Sequence, residues 1–167
     1  MTASFLNRIK WFVVLVLVQG VIIGQIQASR FAVPLLYTAF LLKLPSDIGR
    51  KQLLLYAFFI GLSVDVFGNT PGLNATASIW LAMIRPVLLR WQTSRDASEC
   101  FVPGIKSMGL GAYFRYIAPA ILFHSLILNV IDAFSLAKIE QILLATVADG
   151  VVTILLLLII ELVGRKN

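Results

Sequence analysis

The sequence predicts an all-α membrane protein: a polytopic bundle of six transmembrane helices in a single domain over residues 1–167. Three observations carry that expectation. Hydrophobic residues fill 59% of the 167 positions and charged residues 13%, whereas a soluble domain is about 45–50% apolar. The apolar residues come in long unbroken runs, without the alternation of a barrel strand, and lipid excludes exposed irregular backbone. The basic residues sort to one side of a six-span topology. Arg8, Lys10, Lys43, Arg50, Lys51, Arg85, Arg90, Arg95, Lys106, Arg115, Arg165 and Lys166 fall on one side, and only Arg30 and Lys138 on the other. By the positive-inside rule both termini are then cytoplasmic, and the net charge of +6 speaks of topology and not of nucleic acid.

The run at 11–27 follows Arg8 and Lys10 and begins at Trp11, an interfacial aromatic. Its length and the spans that follow favour a first helix over a signal peptide, despite the weak cleavage-like Ala28-Ser29. Gln19, Gln25 and Gln27 give it a polar stripe suited to helix contacts. The second run, 31–44, has Pro34 in its first turn and ends at Pro45. As a helix it would rise only about 21 Å against a core of about 30 Å, so it is expected to be thin, tilted or extended backwards. Ser46-Asp47 is a candidate cap for the third span at 52–67. A tight break at 68–72 leads to the fourth span, 73–91, with a kink expected at Pro86.

A polar linker over 92–113 carries Arg95, Asp96, Glu99, Lys106 and three glycines, and is expected on the cytoplasmic side against a partner or the inner lipid headgroups. Its Cys100-Phe101-Val102-Pro103 patch reads as a loop folded onto the bundle, with docking as the alternative. Cys100 is the lone cysteine, so no internal disulfide exists. The fifth span, 114–134, contains Pro119 and His124, and the sixth, 141–163, contains Asp149-Gly150.

Four ionisable residues in these spans need a reason. Asp65 lies one turn before the break, where a carboxylate either bonds to the turn or meets a partner helix. Arg85, His124 and Asp149 lie about 18, 15 and 12 Å from their respective span ends, which sets them near one level. Either they pair as a cluster fixing spans four, five and six, or Arg85 snorkels inward while His124 makes a neutral helix contact. Catalytic readings are weak. There is one histidine and no Gly-x-Ser-Gly, no Gly-x-Gly precedes Asp65, and neither metal cluster, phosphate loop nor dinucleotide fingerprint occurs. No enzyme activity and no cofactor is expected. Asn74-Ala75-Thr76 matches a glycosylation sequon, a pattern too short to weigh at a span boundary.

Residues 61–86 closely resemble the signature hairpin of the MreD family of rod shape-determining proteins. The resemblance rests on Gly61, Leu62, Asp65, Phe67, Asn69, Thr70, Pro71 and Gly72, and continues through Ala75 and Ala77 to Arg85-Pro86. Pro34-Leu35-Leu36-Tyr37 and Leu44-Pro45 fit upstream; Pro103, Ser107-Met108-Gly109 and His124 fit more loosely downstream. Where this variant often has paired histidines, the chain has His124-Ser125. The resemblance implies a bacterial inner-membrane protein like the substrate-binding subunits of energy-coupling vitamin transporters. It implies no enzymatic activity. It also implies partnership with MreC and with the elongation machinery: RodA, a penicillin-binding transpeptidase and the MreB cytoskeleton. The bundle alone would equally permit a small-solute-binding transporter subunit.

Overall fold

A computed structural model describes residues 2–26, 32–92, 100–134 and 139–166. Arg30, Arg95 and Lys138, which enter the count of bases, lie outside the described residues, as do Gln27, Phe31, Asp96 and Glu99. The described chain is all α: α1 (Thr2–Ile26), α2 (Thr38–Leu42), α3 (Arg50–Gly68), α4 (Leu73–Gln92), α5 (Ile105–Met108), α6 (Leu110–Ala133) and α7 (Ile139–Lys166). Among the described residues three helices are long and apolar enough to cross a membrane: α3, α6 and α7 as far as Gly164. α4 is long enough at 20 residues, but Asn74, Thr76, Ser78, Arg85 and Arg90 lower its hydropathy. The long helices pack in sequence, α1 on α3, α3 on α4, α4 on α6 and α6 on α7.

The second run departs from expectation. Residues 32–37 are not helical, and only the five residues of α2 wind before Pro45. Yet Leu35, Leu36, Tyr37, Thr38, Phe40, Leu41, Leu42 and Leu44 are all buried. The segment is threaded through the bundle instead of lying on it. From Leu35 on, the segment is wound in turns, with the N–H groups of Thr38, Ala39 and Phe40 bonded three residues back, so it gains little length over a helix. α7 serves as a ruler. Val33 bonds to Asp149 and Lys43 pairs with Glu161. Those α7 partners are 12 residues apart, or about 18 Å.

The α3–α4 hairpin is shaped by its break. α3 ends because Asn69 turns left-handed (φ 51°, ψ 39°), and the N–H groups of Asn69 and Thr70 both return to the Asp65 carbonyl. Asparagine is one of the few side chains that tolerates this conformation. Gly72 follows at φ 85°, and α4 starts at the next residue. Above the turn the two helices touch backbone to backbone: a Cβ on Gly61 would sit 2.5 Å from Ala75 Cα and 2.6 Å from the Asn74 carbonyl oxygen. Pro86 lies within α4 and Pro119 within α6 without ending either helix. Residues 100–109 fold onto the bundle, as the apolar patch suggested: Ser46 N–H donates to the Phe101 carbonyl at 2.8 Å, and Phe101 N–H to Ser46 Oγ at 3.0 Å.

Gly61→Ala should therefore wedge α3 from α4 and destabilise the protein by about 1–3 kcal/mol. Gly111→Ala, a helical site with open space around the missing Cβ, should leave the melting temperature unchanged or raise it. Thermal unfolding of the detergent-solubilised variants checks both.

Candidate functional site: the polar interior

Several of the buried polar side chains converge on one object, the backbone of residues 33–45. Val33 N–H donates to Asp149 Oδ1 at 2.7 Å, and Leu35 N–H to Thr153 Oγ1 at 2.9 Å. Thr153 in turn donates its hydroxyl proton to the Asp149 carbonyl at 2.6 Å. Gln19 Nε2 donates to the Pro34 carbonyl at 2.9 Å. At the other end, Tyr116 Oη donates to the Leu42 carbonyl at 3.0 Å. Arg85 Nη2 donates to the Leu44 carbonyl and, at 3.4 Å, to that of Pro45. Between them, the turns of α2 and its flanks satisfy one another, from Thr38 N–H on the Leu35 carbonyl to Lys43 N–H on that of Ala39. An unpaired buried backbone group costs several kcal/mol in an apolar medium, so non-helical chain at this depth requires such partners. Here α1, α4, α6 and α7 each supply at least one.

The expected cluster of Arg85, His124 and Asp149 is not formed. The three residues serve different places. Asp149 accepts from Val33 and, through Oδ2, from Asn129 Nδ2 at 3.1 Å. Arg85 takes the carbonyls that follow α2, where a cation suits the unpaired carbonyl end of a helix. Nor does Arg85 snorkel: it is 1% exposed. His124 Nε2 meets Tyr37 Oη at 2.7 Å. The expectation of one common level does not hold: Asp149 and Arg85 bond opposite ends of the threaded segment, at Val33 and at Leu44 and Pro45, and His124 bonds the Tyr37 side chain between them.

Asp65 is 3% exposed and structural. Its Oδ1 accepts from Thr70 Oγ1 at 3.0 Å, Asn74 N–H at 2.8 Å and Asn74 Nδ2 at 2.9 Å, and its Oδ2 from Ala75 N–H at 3.0 Å. A carboxylate from the end of α3 thus caps the start of α4, where the first N–H groups lack partners and the helix dipole favours negative charge. Asn69 and Gly72 supply the left-handed positions of the turn, and exposed Pro71 lies between them. Asn74 is buried by this network, which removes the sequon from consideration.

The network continues inward. With its Nδ2 directed to Asp65, Asn74 presents Oδ1 to Tyr37 Oη, which donates at 2.9 Å. Which of Tyr37 Oη and His124 Nε2 donates depends on the imidazole tautomer. The Tyr37 and His124 rings meet edge to face, centroids 5.5 Å apart. A bonded chain thus runs Asp65, Asn74, Tyr37, His124, tying the hairpin turn to the threaded segment and to α6.

Gln19, Asn74, Tyr37, Tyr116, Asn129 and Thr153 complete this interior. The sequence gives Gln19 only a general contact role, Asn74 a place in the sequon and Tyr37 a place in the upstream resemblance, and it marks none of the others as part of this interior. The available signal was a short proline-bearing run with one or two hydrogen-bonding side chains in each neighbouring apolar run.

Comparison with protein-family models, with characterised proteins and with solved structures finds no match to this chain.

Since Arg85 and Asp149 bind separate stretches of backbone, Arg85→Met and Asp149→Asn should each destabilise the protein. Their effects should add to within about 0.5 kcal/mol in a double-mutant cycle. A paired cluster would instead make the double variant less damaged than the sum. Asp149→Ala, which leaves Val33 N–H unsatisfied, should cost more than Asp149→Asn, by about 1–3 kcal/mol.

Proposed function

We propose that this protein is a non-enzymatic scaffold of bacterial cell-wall elongation, of the MreD type. It sits in the inner membrane with both termini in the cytoplasm and crosses six times, the threaded segment counting as the second crossing. Its partners are MreC and, with it, RodA, a penicillin-binding transpeptidase and MreB. The observation that carries the reading is the α3–α4 hairpin. The residues behind the resemblance occupy the positions on which its geometry depends: Gly61 at the close approach, Asp65 at the cap, Asn69 and Gly72 at the left-handed turn, and Arg85 at the carbonyls of Leu44 and Pro45. The motif thus reads as an architectural device, which is what a scaffold needs.

The polar groups near the 68–72 turn are bonded to one another and to backbone. A small-solute-binding subunit would instead need convergent polar groups turned toward an outward pocket, so this favours the scaffold over the transporter alternative. The orientation is supported by the placement of Arg8, Lys43 and Lys106 around one cleft. The hairpin turn lies at the other end of α3, which begins near that cleft, 19 residues away, or about 28 Å.

Co-expression with an MreC protein and purification in mild detergent should recover the two together. A well-expressed chain that retains no MreC overturns the assignment. For orientation, Asn69→Cys, exposed in the turn, should react with an impermeant maleimide added outside spheroplasts. Cys100 should react only after permeabilisation, and best at alkaline pH. The neighbouring Asp47 carboxylate accepts from its thiol and, with some desolvation, raises the thiol pKa, so the thiolate fraction at neutral pH is small. The reverse labelling pattern overturns the topology.

A further inference from the structure

A cleft of about 510 Å³ opens between the start of α1, the end of α2, the 102–107 loop and the end of α7. It has two chemically distinct parts. Its rim carries Arg8, Lys43 and Lys106 against a single carboxylate, Glu161. Glu161 pairs with the Lys43 ammonium and accepts from Ile105 N–H at 3.2 Å, and three lining bases to one acid make the rim net cationic. Its wall is apolar, built from Leu15, Phe40, Leu44 and Leu157. Two more lining residues, Trp11 and Ile160, are 53% and 41% exposed. The wall is therefore continuous with the apolar outer surface of α1 and α7, where Val14, Leu17, Ile159 and Val163 are also exposed.

The level of the cleft follows from α7. Glu161 is five residues from the end of the helix, about 8 Å along its axis, near where a bundle meets the headgroup layer. A soluble anion would use only the rim, and an uncharged lipid only the wall. An anionic amphiphile uses both, and basic pockets between helices at this level select anionic headgroups.

We propose that the cleft is a binding site for an anionic membrane phospholipid. Its phosphate lies against Lys106, beside Arg8 and the Lys43–Glu161 pair, and one acyl chain runs along the Leu15–Phe40–Leu157 wall onto the outer surface of the bundle. The site depends on membrane insertion only and not on the scaffold assignment, so either can fail alone.

The test is native mass spectrometry of the full chain in mild detergent, titrated with phosphatidylglycerol, with phosphatidylcholine of the same chains, and with inorganic phosphate. Phosphatidylglycerol should be retained about tenfold more strongly than phosphatidylcholine, and 10-fold excess inorganic phosphate should not displace it. Lys106→Glu should remove most of that preference. Lys51→Glu, the same charge change at an exposed site outside the cleft, should leave it largely intact. Lys106→Gln provides a milder variant, and gel filtration confirms that each is folded. Equal retention of the two lipids overturns the proposal. So does equal loss in the Lys51 and Lys106 variants, which would mean diffuse surface attraction. Displacement by inorganic phosphate also overturns it, in favour of a free-anion site.

Discussion

The structure depends on a stretch of non-helical backbone placed where there is no water to solvate it. Residues 33–45 run through the middle of an apolar bundle with only five residues of helix to satisfy their own groups. Everything around them is constrained by that fact. Gln19, Arg85, Tyr116, Asp149 and Thr153 come from four helices, and each aims a polar atom at a particular N–H or carbonyl of the segment. These bonds fix the rotation of α1, α4, α6 and α7 about their axes. Helix association in lipid has little hydrophobic drive of its own, so specific bonds and close packing carry a larger share of that task than they would in water.

The hairpin and the threaded segment are one unit because of Asp65. Its carboxylate closes the α4 N-terminus and orients Asn74, which in turn orients Tyr37 and, through it, His124. Tyr37 sits just before α2, so the same chain that shapes the turn also pins the middle of the segment. Replacing the carboxylate by an apolar group would leave the N–H groups of Asn74 and Ala75 without their acceptor. It would also free the Asn74 amide to rotate, disturbing a contact one helix away.

Much of the architecture was legible in the sequence, and the failures have a common cause. The apolar runs located α1, α3, α4, α6 and α7, and the break at 68–72 located the hairpin. The local chemistry of Asp65 and the folded-back loop at Phe101 could be read because both depend on residues near in sequence or on simple burial. The 31–44 run was read as a helix because composition cannot distinguish a buried helix from buried non-helical chain of the same residues. The consequence propagated. Without a threaded backbone in view, the ionisable residues have either one another as partners, or an inward snorkel for Arg85 and a neutral helix contact for His124, and neither reading supplies the backbone groups that Arg85 and Asp149 meet. Arg85 satisfies the same physical demand by donating to Leu44 and Pro45, and Asp149 by accepting from Val33 and Asn129.

Spending the polar groups inside has a consequence for the outside. The outward faces of the helices are left to apolar residues: Leu55, Phe59, Val66 and Phe67 on α3, Leu144, Val147, Leu155 and Ile159 on α7. Such faces carry no charge pattern by which lipid and a partner helix could be told apart, so discrimination must rest on shape and packing. Shape is a usable signal only when the surface that bears it is rigid. A helix whose rotation is pinned by Asp149 and Thr153 presents a fixed array of side chains to its surroundings. The threaded segment therefore does for the outer surface what a polar interface would do in water: it makes one arrangement of apolar side chains persist long enough to be recognised.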